Sequence, residues 1–152
     1  MRLGGRIFTE TTTPEAWVAA VADAGYRAAY CPLTPDADDN TIQAFAAAAR
    51  KADIVIAEVG VWNNPLSPDT AAAAEALDKC KASLELADRI GARCCVNISG
   101  SRGRIWDGPH AANLTGETFD MIVASVRDII DSVKPTRSFY TLEPMPWMYP
   151  DS

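Results

Sequence analysis

Apolar runs and helix-period stretches alternate along the whole chain. "RLGGRIF" is a short strand candidate. "TTPEAWVAAVADAG" follows, with Thr13 as N-cap, Pro14 at the first helical position and Gly25 as the stop. "YRAAYCP" predicts a second strand, ended by Pro32. "DDNTIQAFAAAARKA" predicts a second helix, with Ile42 and Phe45 three apart on one face. "DIVIAEVGVW" is an apolar run without clean alternation, as occurs when both faces of a parallel sheet are covered. "SPDTAAAAEALDKCKASLELADRIG" is the clearest helix. Ser67 is expected to cap it, Pro68 to open it, and Gly91 to close it. "ARCCVNIS" predicts the fourth strand. A polar, Gly-rich loop runs from Gly100 to Gly116. "TGETFDMIVASVRDIIDSV" is the fourth helix, with Phe119, Ile122, Val123, Val126, Ile129 and Ile130 on the expected inward stripe. "SFYTLE" is the fifth strand, and it ends in an acid, Glu143.

The pattern is βαβαβαβαβ, which predicts an α/β fold with parallel strands and right-handed crossovers. Two architectures meet it: an open doubly wound sheet, or part of a (β/α)₈ barrel, which normally takes about 250 residues. Four βα units plus a fifth strand make just over half a barrel, expected as one domain over residues 1–152. In the barrel reading, neighbouring strands follow sequence order. A switch point in mid-sheet would favour the doubly wound reading.

Composition narrows the function. The net charge is −6, which argues against nucleic acid and anionic membrane surfaces as partners. No apolar run approaches the roughly 18 residues of a membrane span, and Met1-Arg2-Leu3 leads into glycines rather than a signal peptide. Cys31, Cys80, Cys94 and Cys95 lack C-x-x-C spacing, so they read as small buried hydrophobes of a cytoplasmic protein. Asn113-Leu114-Thr115 matches a glycosylation acceptor in pattern only.

The first turn, "TETTTPEA", lacks the G-x-G-x-x-G of a dinucleotide site, and no Walker sequence is present. Polar and aromatic residues collect instead at the strand ends: "YCP", "AEVGVWNNPLS", "VNISGSRG" and "LEPMPW". Both parallel architectures bind ligands at that edge. Glu58, Trp62, Asn97 and Glu143 are therefore expected to gather there.

"IAEVGVWNNPLSPD", "LELADRIGARCCVNISGS" and "YTLEPMPW" resemble the sugar-phosphate isomerase/epimerase family, the xylose isomerase-like division of TIM barrels. The resemblance covers nearly the whole chain but only the first half or so of that family's barrel. It implies a divalent metal of the Mn, Mg, Co or Zn class at the barrel mouth, held by acids and a histidine from strands five to eight. Glu143 matches the strand-five ligand and the associated catalytic acid. The other ligands have no counterpart in these 152 residues. The implied chemistry is proton transfer next to the carbonyl of a sugar or sugar phosphate, with the metal polarising the oxygens.

Each candidate also has a plainer reading. Glu143 could simply close a strand through a salt bridge. Glu58 faces the barrel mouth or pairs with an arginine, since a buried acid needs compensation. Trp62 and Asn63 line a sugar pocket or pack a loop. Asn97, alternating with Val96 and Ile98, is an inward site amide or a satisfied core amide. Trp147 is a candidate substrate contact in a stretch, "PMPWMYP", that offers no carboxylate. His110 and Trp106 lie in the long loop, where a solvated histidine and a rim-capping tryptophan are the ordinary outcomes.

Three functional readings follow. The first is a metal-dependent sugar isomerase or epimerase lineage, incomplete in this chain alone. The second is a non-catalytic half-barrel completed by self-association, as a homo-oligomer, or by a missing C-terminal half. The third is a sister activity on the same scaffold, a dehydratase or a DNA-repair endonuclease, with the acidic balance against the latter. A half-barrel leaves open sheet edges and a bare inner face, for which Val55, Val59, Val96 and Ile98 are candidates.

Overall fold

The computed structural model describes residues 1–151. The elements are β1 (Gly4–Gly5), α1 (Pro14–Asp23), β2 (Ala28–Ala29), α2 (Asp39–Lys51), β3 (Val55–Ile56), β4 (Glu58–Gly60), α3 (Thr70–Ile90), β5 (Cys94–Asn97), α4 (Gly116–Val133) and β6 (Phe139–Leu142). All strand pairs are parallel, in the orders β1-β2-β3 and β4-β5-β6. The expected third strand is thus split into β3 and β4.

The split is a bulge rather than a gap. Ala57 N donates to Ala29 O at 2.8 Å, and Cys31 N donates to Glu58 O at 2.8 Å. Two residues, Ala57 and Glu58, therefore face Tyr30 alone. Across the break, Arg93 N also donates to Ile56 O at 3.1 Å. The ladder runs through the bulge, so the six segments form one curved array of five strand positions in sequence order. That order matches the first part of a barrel; no strand order with a central switch point occurs among the described residues.

The helices start where side-chain acceptors meet free N–H groups. Thr13, Asp38 and Thr115 cap α1, α2 and α4. The α3 cap is Asp69, not Ser67: the Asp69 carboxylate accepts from Ala71 N and Ala72 N at 2.9 and 3.1 Å. Ser67 Oγ, two residues earlier, accepts from Asp69 N and so orders the approach. Gly91 ends α3 at φ 81°, where only glycine is unstrained.

The core lies between the sheet and its helices. Trp17, Val21, Ile42, Phe45, Leu84 and Cys95 are its largest or most deeply buried members. On α4 the apolar stripe is narrower than its periodicity predicts. Ile122 and Ile129 are buried, while Phe119 and Ile130 are exposed. The α4 flank carrying those two has no neighbouring helix among the described residues. Of the four residues expected to be bare on the inner face, only Val55 is part-exposed; Val59, Val96 and Ile98 are buried. All four cysteines are free. Burial pushes the Cys31 thiol up to about 11 and raises those of Cys80 and Cys95. No helix of the described residues is long and apolar enough to cross a membrane.

Candidate functional site

The bulge determines where Glu58 points. Ile56 and Val59 are three residues apart, yet both belong to the buried core beneath the helices. Simple alternation forbids that. The extra residue at 57–58 restores it, and turns Glu58 to the opposite, inner face. Glu143 arrives on the same face from β6. Its N–H donates to Asn97 O at 2.8 Å, extending the β5–β6 ladder by one residue. Tyr140 faces the helices, with its hydroxyl 3.4 Å from Cys80 Sγ of α3. Alternation then sends Phe139, Thr141 and Glu143 inward, and Phe139 is 74% exposed there. Partial burial raises the Glu58 carboxyl above the ordinary glutamate range, and the negative charge of Glu143 raises it further. Two acids, from strand positions separated by β5, thus share one side of the sheet, and the charge of Glu143 reaches Glu58.

Trp62 joins them. A Cβ on Gly60 would come 2.3 Å from Trp62 Nε1, so the indole lies directly over that glycine on the inner face. Trp62 itself sits at φ 41°, a left-handed conformation that a bulky residue adopts only when its surroundings impose it. The next residue supplies the constraint. Asn63 N donates to Asn97 Oδ1 at 3.0 Å, and Asn97 Nδ2 donates to Asn63 Oδ1 at 2.7 Å. Asn63 Nδ2 is taken by Ala76 O of α3. Asn97 is fully buried between sheet and α3. Its backbone lies at the same sheet edge as Glu143, but its side chain points to the opposite face. The structure therefore puts Glu58, Trp62 and Glu143 on one face of the sheet and leaves the amides of Asn63 and Asn97 on the other, as a clasp that orients the turn.

Trp147 is tied elsewhere. Its Nε1 donates to Asp107 O at 2.6 Å, and its carbonyl accepts from Asn113 Nδ2 at 3.0 Å. Tyr149 bonds Leu114 O and meets the Phe119 ring edge-on at 5.7 Å. Residues 144–150 are thereby strapped to the loop between β5 and α4. Buried Asn113 also accepts from Arg102 N and donates to Gly108 O, so the glycosylation-like motif is a structural joint. Asn64 completes the framework by accepting from Ser101 N and donating to Ser101 O. Gly100, at φ 95°, leaves no room for a Cβ beside Asn64 Oδ1. Asn64, Ser101 and Asn113 carry no periodicity signal; the sequence marks the last two only as members of a polar, Gly-rich loop. His110 is exposed, with Nδ1 accepting from Ala112 N.

A cleft of about 710 Å³ opens at the ends of the first three strand positions, between Phe8, Thr11, Tyr30, Cys31 and Trp62. A second groove of about 310 Å³ lies on the other side of Trp62, toward α3. Neither is lined by Glu58 or Glu143, which stand on the open sheet face beside the first.

The two carboxylates are the right kind of donor for a hard divalent cation, but a Mg²⁺ or Mn²⁺ site needs about six oxygens. Among the described residues no three His, Cys, Asp or Glu side chains come together as a metal site. The residues present do not fit a complete metal centre.

Comparison with known proteins agrees with this geometry. No curated protein matches the sequence. Among solved structures, the chain is similar to an L-ribulose 3-epimerase (TM-score 0.67, 17% identity, 94% of this chain and 49% of that one). It is similar to a D-psicose 3-epimerase with D-tagatose from Clostridium cellulolyticum H10 (0.68, 18%, 95% and 52%). It is also similar to a xylose isomerase-like TIM-barrel protein from Mycobacterium smegmatis in complex with magnesium (0.62, 15%, 99% and 57%). The chain spans about half the length of these structures. At such identities the likeness establishes the fold, part of a TIM barrel. The family model for the xylose isomerase-like TIM barrel matches residues 18–151, and the chain belongs to that family.

Proposed function

We propose that this chain carries one side of the active site of a sugar or sugar-phosphate isomerase or epimerase of the metal-dependent type, acting by proton transfer next to a carbonyl. The observation that carries the reading is that Glu58 and Glu143 share the inner face of the sheet, with Glu58 raised by burial and by the charge of Glu143. A carboxyl that holds its proton more tightly than an ordinary glutamate is a candidate to take up and return a proton. By the family resemblance Glu143 would supply one ligand of a divalent ion, and the remaining ligands are not among these 152 residues. When bound, such an ion would polarise the sugar oxygens. Trp62 walls the cleft, and the Asn63–Asn97 clasp holds it there. The buried thiols accord with a reducing, cytoplasmic setting.

A second reading is a half-barrel that catalyses nothing until another chain covers it. It is favoured by the exposed Phe139 and by β1 and β6, each paired on one side only. Deuterium uptake at the carbon next to a ketose carbonyl, followed by NMR in D₂O with Mn²⁺, separates the two. Uptake by the chain that is lost in Glu58→Gln and Glu143→Gln supports the enzymatic reading. Uptake that survives both substitutions, or none at all at any chain concentration, refutes it.

A further inference from the structure

The groove beyond Trp62 has a character unlike the rest of the molecule. Trp62 and Trp106 form its aromatic walls, each about two-fifths exposed. Lys79 and Arg104 supply two positive charges, against one negative charge from Glu75. The chain as a whole carries −6. Lys79 is paired with Glu75 at 2.6 Å, but Arg104 has no ion pair or hydrogen bond among the described residues. Arg102, two positions earlier, is already taken by Glu117 and Thr118. Charge is therefore divided across Trp62: two acids on the sheet face, and a net positive groove toward α3.

We infer that this groove binds the anionic end of a sugar derivative, a phosphate or carboxylate, while the sugar ring lies along Trp62 toward the acid pair. The inference rests on the proposed sugar chemistry and adds the class of substrate. An aromatic wall suits the apolar face of a sugar ring, and an unpaired guanidinium suits a phosphate or carboxylate, which it can grip with two parallel N–H groups. A volume of about 310 Å³ is enough for one such group and part of a ring. Trp62 lines both the cleft and the groove, so a ligand that passes it occupies both. The acid pair cannot serve as the anion site, because like charges would repel it.

The test uses the 152-residue chain with ¹⁵N-labelled tryptophan. Its four indole N–H signals are assigned by Trp62→Phe and Trp106→Phe. Fructose 6-phosphate, gluconate and fructose are titrated in parallel. We expect the two anionic sugars, or the phosphate alone, to shift the Trp62 and Trp106 signals and to bind about tenfold tighter than fructose. Preference for fructose 6-phosphate assigns the groove to phosphate; equal binding of gluconate assigns it to sugar anions in general. Arg104→Glu and Lys79→Glu are surface changes and should abolish that advantage while leaving fructose binding unchanged. Unmoved Trp106 signals, or an advantage that survives both charge reversals, would overturn the inference. Glu58→Gln is run beside them. Groove binding that persists while deuterium uptake is absent even in the parent chain would remove the proposed reaction and leave the anion site standing.

Discussion

Glu58 is half-buried on a sheet face with a second acid near it, and this has a direct consequence for pH. Its folded carboxyl sits above the ordinary glutamate range, first because of burial and then because of Glu143. The unfolded chain releases that proton at lower pH than the folded one. Between the ordinary range and the raised value the folded state binds more protons, so stability falls as pH rises through that window. Below the ordinary range the penalty is absent, and above the raised value it is complete. Glu58→Gln removes the group. Its melting temperature should therefore exceed that of the parent by a margin that opens on going from acid to neutral pH. Thermal unfolding of both proteins across that range checks it, and a margin that shrinks with rising pH would contradict the placement of Glu58. Gly60 belongs to the same scale: it is the residue whose missing side chain lets Trp62 lie against the sheet.

Between elements, one acid secures the last strand. Asp88 near the end of α3 accepts from the backbone N–H groups of Thr136, Arg137 and Ser138 at 2.9, 2.6 and 3.1 Å. Its burial acts to raise the carboxyl, but the hydrogen bonds outweigh that and hold it below the usual range. Such a carboxylate contributes stability that is present above the ordinary aspartate range and lost as pH falls through the lowered value. The segment leading into β6, and so the approach to Glu143, is registered on α3 by this carboxylate, with Arg137 and Ser138 donating in return to the carbonyls of Arg89 and Ala92. Asp88→Ala should cost about 1–3 kcal/mol, because several backbone donors lose their acceptor. Asp88→Asn, which keeps a neutral acceptor, should fall between. Urea unfolding of the three proteins measures the series; equal stability for all three would show that β6 is held without the Asp88 carboxylate.

At the scale of the molecule, the inner face is the feature that most needs a partner. Phe139 is 74% exposed on it, next to the outer edge of β6. Leu3 and Phe8 are exposed near the other edge. Unpaired edges beside apolar side chains favour association through strand pairing. The chain should sediment as a dimer or larger species at micromolar concentration. Phe139→Lys should shift it toward monomer with little loss of stability, since this side chain contributes almost nothing to the core. Sedimentation velocity decides it, and a parent chain that remains monomeric would show that the inner face tolerates water as it stands.

The alternation of apolar runs and helical stretches determined the elements, their order and their parallel pairing, because each depends on local periodicity and on the short reach of βα connections. The cap at Thr13, the stop at Gly91 and the acid at Glu143 were legible for the same reason: each is a local signal with a local cause. Which acids meet was not legible. "DIVIAEVGVW" contains no mark of the bulge at Ala57–Glu58, yet that single extra residue moves Glu58 from the helix side to the inner side. Asn97 shows the converse. Its alternation with Val96 and Ile98 established that it differs in facing from them, but not which face is inside; contacts with Asn63, Cys80 and Tyr140 decided that. The joints at Asn64, Ser101 and Asn113 join residues 12 to 37 positions apart, and Trp147 is bound 34 and 40 positions from its partners. Sequence periodicity reports which side of an element is apolar. Facing, register and the meeting of distant polar groups are set by hydrogen bonds between elements, and those exist only once the chain has folded.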